Sequence, residues 1–222
     1  MKKFFLVLAC IIAIAPVFAQ NIDSMYRPTQ YQQRFEFWEN PKVDPNAVVF
    51  LGNSITHGFE WAEYLGDVKY KNRGISGDLT YGVLARMDQI VKMKPAKVFL
   101  LIGINDISKD VPKEIVAQNI RKIVLRIRKD SPNTKVYVQS LFPTNEKFKK
   151  FPKHYNKQDV VDYVNNASKQ TCQELGAQYL DVASVLTDAN GKLKEEVTYD
   201  GLHLLKAGYV LWVDYLKSQK VL

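Results

Sequence analysis

Apolar residues in this chain follow two rhythms. Five short runs read as strands: "AVVFLG" (Ala47 to Gly52), "VKYKN" (Val68 to Asn72), "KVFLLIG" (Lys97 to Gly103), "KVYVQSLF" (Lys135 to Phe142) and "AQYLDV" (Ala177 to Val182). Three of them are almost continuously apolar and β-branched, the pattern of strands buried on both faces of a parallel sheet. Between the runs the spacing turns helical. Leu79 to Met93 follows Asp78 as a cap, Pro112 to Lys129 opens on proline and stops before Ser131-Pro132, Asp159 to Leu175 ends at Gly176, and a last helix covers Leu205 to Lys220. Strands alternating with helices of this length build right-handed βαβ units. The fold class is therefore α/β, a three-layer α/β/α sandwich on a five-stranded parallel sheet. No repeat, low-complexity tract or linker divides residues 47–222, which read as one domain. Residues 20–46, rich in Gln and Tyr, read as a leader wrapped on it, with a helix at Tyr31 to Trp38.

The beginning of the chain has another layout. "MKKFFLVLACIIAIAPVFAQ" carries two lysines, an uncharged apolar stretch and compact residues up to Ala19, the arrangement of a secretory signal cut after that residue. The apolar run is shorter than the roughly 20 residues that a membrane span needs, and no other segment approaches that length. Lipoprotein processing at Cys10 competes with this reading, but it leaves only about half the usual apolar region. Removing Lys2 and Lys3 lowers the net charge from +8 to +6. The remaining lysines scatter without arginine and aromatic interleaving, which argues against a nucleic-acid surface. Cleavage leaves Cys172 as the one cysteine, so no internal disulfide forms and the apolar core must supply the stability. Within its helical pattern Cys172 reads as a small buried hydrophobe.

Ligands of open parallel sheets bind beyond the carboxyl ends of the strands, and the loops there are unusually polar in this chain. Gly52-Asn53-Ser54 follows the first strand, Arg73-Gly74-Ile75-Ser76-Gly77-Asp78 the second, and Gly103-Ile104-Asn105-Asp106 the third; Asp200-Gly201-Leu202-His203 lies near the C-terminus. By itself Ser54 is an ordinary helix cap. A serine nucleophile, however, needs a base within reach, a carboxylate to orient that base, and donors aimed at the oxyanion. Asp200 and His203, three residues apart, share one face of a turn and supply the carboxylate and the imidazole. Asn105 offers an amide donor, and a loop glycine offers an unobstructed backbone N–H.

With these residues in place the chain resembles a known family. "GNSI" is similar to the first sequence block of the GDSL or SGNH hydrolases, "NRGISGDLT" to the second, "GIND" to the third and "DGLH" to the fifth, in the family's order and at comparable spacing. "NRGISGDLTYGVLARM" and "DGLHLLKAGY" are similar to the platelet-activating-factor acetylhydrolase-like branch, which includes carbohydrate acetylesterases. The resemblance implies a flavodoxin-like fold with Ser54 as nucleophile, Asp200 and His203 completing a triad, and Ser54, Gly77 and Asn105 forming the oxyanion hole. It implies no metal and no organic cofactor, and the choice of Gly77 over Gly74 rests on it. Asn53 stands where the first block usually has Asp, and Leu205 where a threonine often follows the histidine.

Other residues near these loops compete for roles. His57 lies three residues from Ser54, but its nearest acid, Glu60, could orient it only if that turn is helical, so His203 is the expected base. Asn53, His57, Trp61 and Asp78 are candidates for a substrate pocket; Phe59, Trp61 and Tyr64 either stack on a sugar or pack the first helix on the sheet. His154 reads as a solvated loop residue; the lysine-rich loop Lys147 to Lys157 also reads as solvated, with bordering the pocket and favouring anionic substrates as its second reading. Three dispersed histidines do not form a zinc motif. The expected activity is hydrolysis of short acyl esters of a small molecule or glycan by an exported enzyme, without a stable membrane span. A lysophospholipase or thioesterase on the same site and a non-catalytic carbohydrate-binding module are the alternatives.

Overall fold

The structure, a computed structural model, describes residues 23–222; the expected signal sequence and its Cys10 lie outside the described residues. Five strands, β1 (Val48–Gly52), β2 (Tyr70–Gly74), β3 (Lys97–Leu101), β4 (Lys135–Gln139) and β5 (Gln178–Leu180), form one sheet in the order β2-β1-β3-β4-β5, every pair parallel. All five residues of β1 are buried, as are all but the first of β3 and β4, because these strands are covered on both faces. β2 and β5 are the edges.

The helices follow from the direction of each crossover. In chain order they are α1 (Tyr31–Trp38), α2 (Ser54–His57), α3 (Trp61–Leu65), α4 (Thr80–Ala85), α5 (Met87–Val91), α6 (Ile104–Ser108), α7 (Lys113–Asp130), α8 (Gln158–Leu175), α9 (Ala183–Leu186) and α10 (Lys206–Ser218). From β2 onward the chain steps toward β5, and right-handed connections put α4, α5, α7 and α8 together on one face. The step from β1 back to β2 runs the other way, so α3 lies on the opposite face, where Trp61 meets Trp212 of α10 edge to face at 5.0 Å. Beneath them Phe50, Phe99 and Tyr137 occupy matching register positions on β1, β3 and β4. They stack at 5.0 and 4.7 Å, with Trp61 over Phe50 at 3.6 Å.

Three expectations change in detail. The second strand begins at Tyr70 rather than Val68, because Val68 is exposed in the approach to an edge strand. The helix expected from Leu79 to Met93 is two helices separated at Arg86, whose side chain turns into the protein and is fully buried. Trp61, a candidate pocket residue, is a core residue at 1% exposure, its indole N–H donated to the Thr56 carbonyl at 2.9 Å. The helices α1, α7, α8 and α10 lie where the periodicity places them, and Gly176 ends α8 at φ +65°. The leader packs on the domain: the Tyr31 hydroxyl donates to the Gly82 carbonyl at 2.9 Å.

Candidate active site

Order β2-β1-β3 makes the end of β1 the switch point of the sheet, where neighbouring crossovers leave in opposite directions and a crevice opens. Gly52 ends that strand. A Cβ there would stand 2.3 Å from the Leu101 carbonyl and from Thr56 Oγ1, so glycine alone lets the turn form this close to β3. Asn53 then caps α2, its Oδ1 accepting the Ile55 N–H at 3.0 Å, and Ser54 is delivered as the first helical residue.

Ser54 Oγ lies 2.9 Å from His203 Nε2, and His203 Nδ1 lies 2.7 Å from Asp200 Oδ2. Asp200 Oδ1 accepts the backbone N–H groups of Leu202 and His203 at 2.9 and 2.7 Å, which fixes the carboxylate against its own turn. Thr198 closes that turn by accepting the Gly201 N–H and donating to the His203 carbonyl. The Tyr155 hydroxyl donates to the Asp200 carbonyl at 2.9 Å. Phe151 meets the His203 ring edge-on at 5.2 Å and Tyr199 stacks at 6.0 Å, so the imidazole has little rotational freedom. With Nδ1–H directed at the carboxylate, Nε2 keeps its lone pair for the serine proton.

The loop after β2 brings Gly77 with φ +79°, and Pro28 of the leader lies 3.2 Å from where a Cβ would sit. Asp78 turns away from the crevice. Its carboxylate is wholly buried and receives Arg86 Nε at 3.1 Å and Nη2 at 3.0 Å, while the same guanidinium donates to the carbonyls of Arg73 and Gly52 at 2.9 and 3.1 Å. One buried cation thus ties the ends of β1 and β2 to the Gly77 loop. Burial raises the Asp78 pKa and the Arg86 charge opposes that rise. The loop after β3 supplies Asn105, which donates from Nδ2 to the Asp78 carbonyl at 3.0 Å. The next residue, Asp106, accepts the Thr80 N–H and hydroxyl and so caps α4 from the neighbouring loop; burial pushes its pKa up to about 7.

Asn53 and Asp78 are 0% exposed, and their expected place on a pocket wall is corrected with that of Trp61: capping and ion pairing take their polar atoms inward. His57 is half-buried and bonds Ser76 Oγ at 2.8 Å through Nδ1; burial lowers its pKa. The imidazole hydrogen-bonded to Ser54 is that of His203. His154 is the residue that sequence reasoning placed wrongly. It is half-buried rather than freely solvated, with Nε2 3.2 Å from Asn105 Oδ1, and burial, helped by the nearby His203, lowers its pKa to about 4. Aromatic Phe151 and Tyr155 on either side of it were the available signal for a packed loop.

A groove of about 840 Å³ borders the site, walled by Tyr26, Leu79, Lys109, Phe151, Lys153 and His154. It shares Phe151 and His154 with the surroundings of His203 and Asn105; Ser54 is not part of its wall. A second hollow of about 640 Å³ is lined by Tyr199 together with Phe59 and Tyr64. No helix among the described residues is long and apolar enough to cross a membrane.

Comparisons with known proteins give the family. The family model for the GDSL-like lipase/acylhydrolase family matches residues 50–211. Platelet-activating factor acetylhydrolase IB subunit alpha1 of Rattus norvegicus is 29% identical over 203 residues, covering 89% of this chain and 84% of the relative. A solved structure from Streptococcus pneumonia, described as a platelet activating factor, is 31% identical with a TM-score of 0.76, over 86% of this chain and 91% of its own. An acetylxylan esterase of Geobacillus stearothermophilus shares the fold at 19% identity and a TM-score of 0.62, over 80% of this chain and 95% of its own. A serine-histidine-aspartate series at the switch point of a flavodoxin-like sheet and a family match over most of the chain lead to one conclusion: the chain belongs to the GDSL-like lipase/acylhydrolase family and is an ester hydrolase.

Proposed function

We propose that the protein is an exported serine esterase that removes short acyl groups, acetyl foremost, from a carbohydrate or similar alcohol. The observation that carries the reading is the pair of hydrogen bonds from Ser54 through His203 to Asp200 at 2.9 and 2.7 Å. Ser54 Oγ attacks the ester carbonyl while His203 Nε2 takes its proton, and Asp200 holds the imidazole and stabilises its positive charge. The N–H groups of Ser54 and Gly77 and the Asn105 amide stabilise the tetrahedral oxyanion. His203 then protonates the leaving alcohol and activates a water that frees the acyl group and restores Ser54.

Three observations support the finer parts. The rat relative is named an acetylhydrolase and the Geobacillus neighbour an acetylxylan esterase. The groove that adjoins the site offers room for the alcohol. Export rests on the layout of residues 1–19. The test is hydrolysis of p-nitrophenyl esters of increasing chain length. Wild type should prefer acetate, and Ser54→Ala should lower kcat by on the order of 10³-fold or more. Undiminished turnover in Ser54→Ala overturns the mechanism; a preference for long acyl chains overturns the substrate assignment alone.

A further inference from the structure

Asn105 is held at both ends of its side-chain amide. Nδ2 donates one of its two protons to the Asp78 carbonyl at 3.0 Å, and Oδ1 faces His154 Nε2 at 3.2 Å. A reversed amide would set Oδ1 against the Asp78 carbonyl, acceptor against acceptor, and would turn both N–H groups away from their present directions. The orientation with Nδ2 toward Asp78 therefore requires a donor at Oδ1, and the His154 Nε2–H is the group there. His154 Nδ1 is buried with no partner among the described residues, so the tautomer with its proton on Nε2 leaves only a lone pair, not a stranded N–H, inside the protein.

We propose that His154 is a positioning residue of the oxyanion site: its Nε2–H, donated to Asn105 Oδ1, fixes the amide so that the second Nδ2 proton stays directed at the reacting carbonyl oxygen. The proposal rests on the reading of Asn105 as an oxyanion donor. Donation into Oδ1 also polarises the amide and strengthens the N–H that it presents. The charged or titratable groups that act on His154 are His203, Lys157 and Asp200; burial and the first two keep the ring neutral.

The loop that carries His154 is itself anchored to the site. Lys157 Nζ donates to the Ile107 carbonyl at 2.8 Å and to Asp110 Oδ1 at 2.6 Å, which clamps the loop to α6, the helix that bears Asn105. The Tyr155 hydroxyl accepts the N–H groups of Lys150 and Phe151 and donates to the Asp200 carbonyl. With Phe151 against His203, residues 150–157 thus touch the acid, the base and the amide donor together. They set the oxyanion half of the site against the proton-transfer half.

The experiment is a double-mutant cycle on the full-length protein, read as kcat and KM for p-nitrophenyl acetate. Asn105→Ala should lower kcat by about 10²-fold or more, the scale of one oxyanion donor. His154→Phe should lower kcat by about tenfold at unchanged KM, and His154→Gln, which keeps an N–H donor, should recover most of that loss. Added to Asn105→Ala, His154→Phe should cost nothing further, because the group it positions is gone. An equal factor in both backgrounds, or a rise in KM with kcat intact, overturns the proposal. Unchanged kcat in Asn105→Ala overturns instead the oxyanion reading on which it rests. His154→Leu serves as the second apolar replacement, and melting curves of each variant separate loss of fold from loss of rate.

Discussion

Replacing Arg86 by methionine tests whether the buried ion pair is the fastening between the strand ends and the Gly77 loop. Arg86 and Asp78 are both fully buried, and the guanidinium makes every polar contact that the Asp78 Oδ2 atom has among the described residues. Methionine nearly conserves length and removes the charge, leaving the Asp78 carboxylate with the Leu79 N–H at Oδ1 as its remaining polar contact. Removing one partner of a buried pair costs about 3–5 kcal/mol, because an uncompensated charge remains. The Gly52 carbonyl keeps the Ile75 N–H, so its loss adds little. For a chain of this size, where 1 kcal/mol is about 2–4 °C, the melting temperature should fall by roughly 10–15 °C. The pH dependence has a definite sign. Burial already holds the Asp78 pKa above its ordinary value and Arg86 restrains it; without Arg86 it rises further. A carboxyl with a raised folded-state pKa gains stability as pH falls through that value toward the unfolded one. The deficit of Arg86→Met relative to wild type should therefore shrink on acidification, and Asp78→Asn in the same chain should recover part of it at neutral pH. Thermal unfolding followed by circular dichroism from pH 8 to pH 5 measures all three quantities. A deficit below about 1 kcal/mol that does not change with pH would refute the view that Arg86 neutralises Asp78.

Two further outcomes are expected. His203→Ala should abolish most turnover, whereas His57→Ala should retain kcat within about tenfold, because His57 bonds Ser76 and not Ser54; comparable losses in the two variants would return His57 to candidacy as the base. Asp106, with its pKa raised by burial to about 7, binds a proton in the folded protein that the unfolded chain releases. Its contribution to stability should rise as pH falls from above 7 toward 4, and Asp106→Asn, which still accepts from Thr80, should flatten that slope in urea unfolding at successive pH values. A slope unchanged by the substitution would show that Asp106 titrates normally.

The strands of the sheet interior were legible because β1, β3 and β4 are covered on both faces, which demands continuous apolar runs whatever the tertiary partners. The edge strand β2 was displaced by two residues, since its sequence "YKNRG" is half-exposed and carries charge where an interior strand cannot. Long amphipathic helices such as α7 and α8 also declared themselves through period and caps. What local reading missed depends on contacts between distant residues. Asp78 looks like the cap of α4, yet that function belongs to Asp106, 28 residues further on, and Asp78 is engaged by Arg86 instead. Ser54, His203 and Asp200 were readable because their residue types are restricted by chemistry. His154 was not, because lysines flank it locally while its partner Asn105 lies 49 residues away in sequence.

The leader has a consequence for where this enzyme can be cut. The Trp38 indole faces the guanidinium carbons of Arg34, Arg73 and Arg86 at 4.7, 4.8 and 5.7 Å, and Pro28 stands against Gly77. A chain shortened to start at residue 50, where the family match begins, would lose both and the first two residues of β1 as well. Water would then reach the Asp78–Arg86 pair and Gly77. The minimal active unit is therefore expected to extend N-terminally of the family boundary, and a protease that clips the leader should lower activity without touching Ser54, Asp200 or His203.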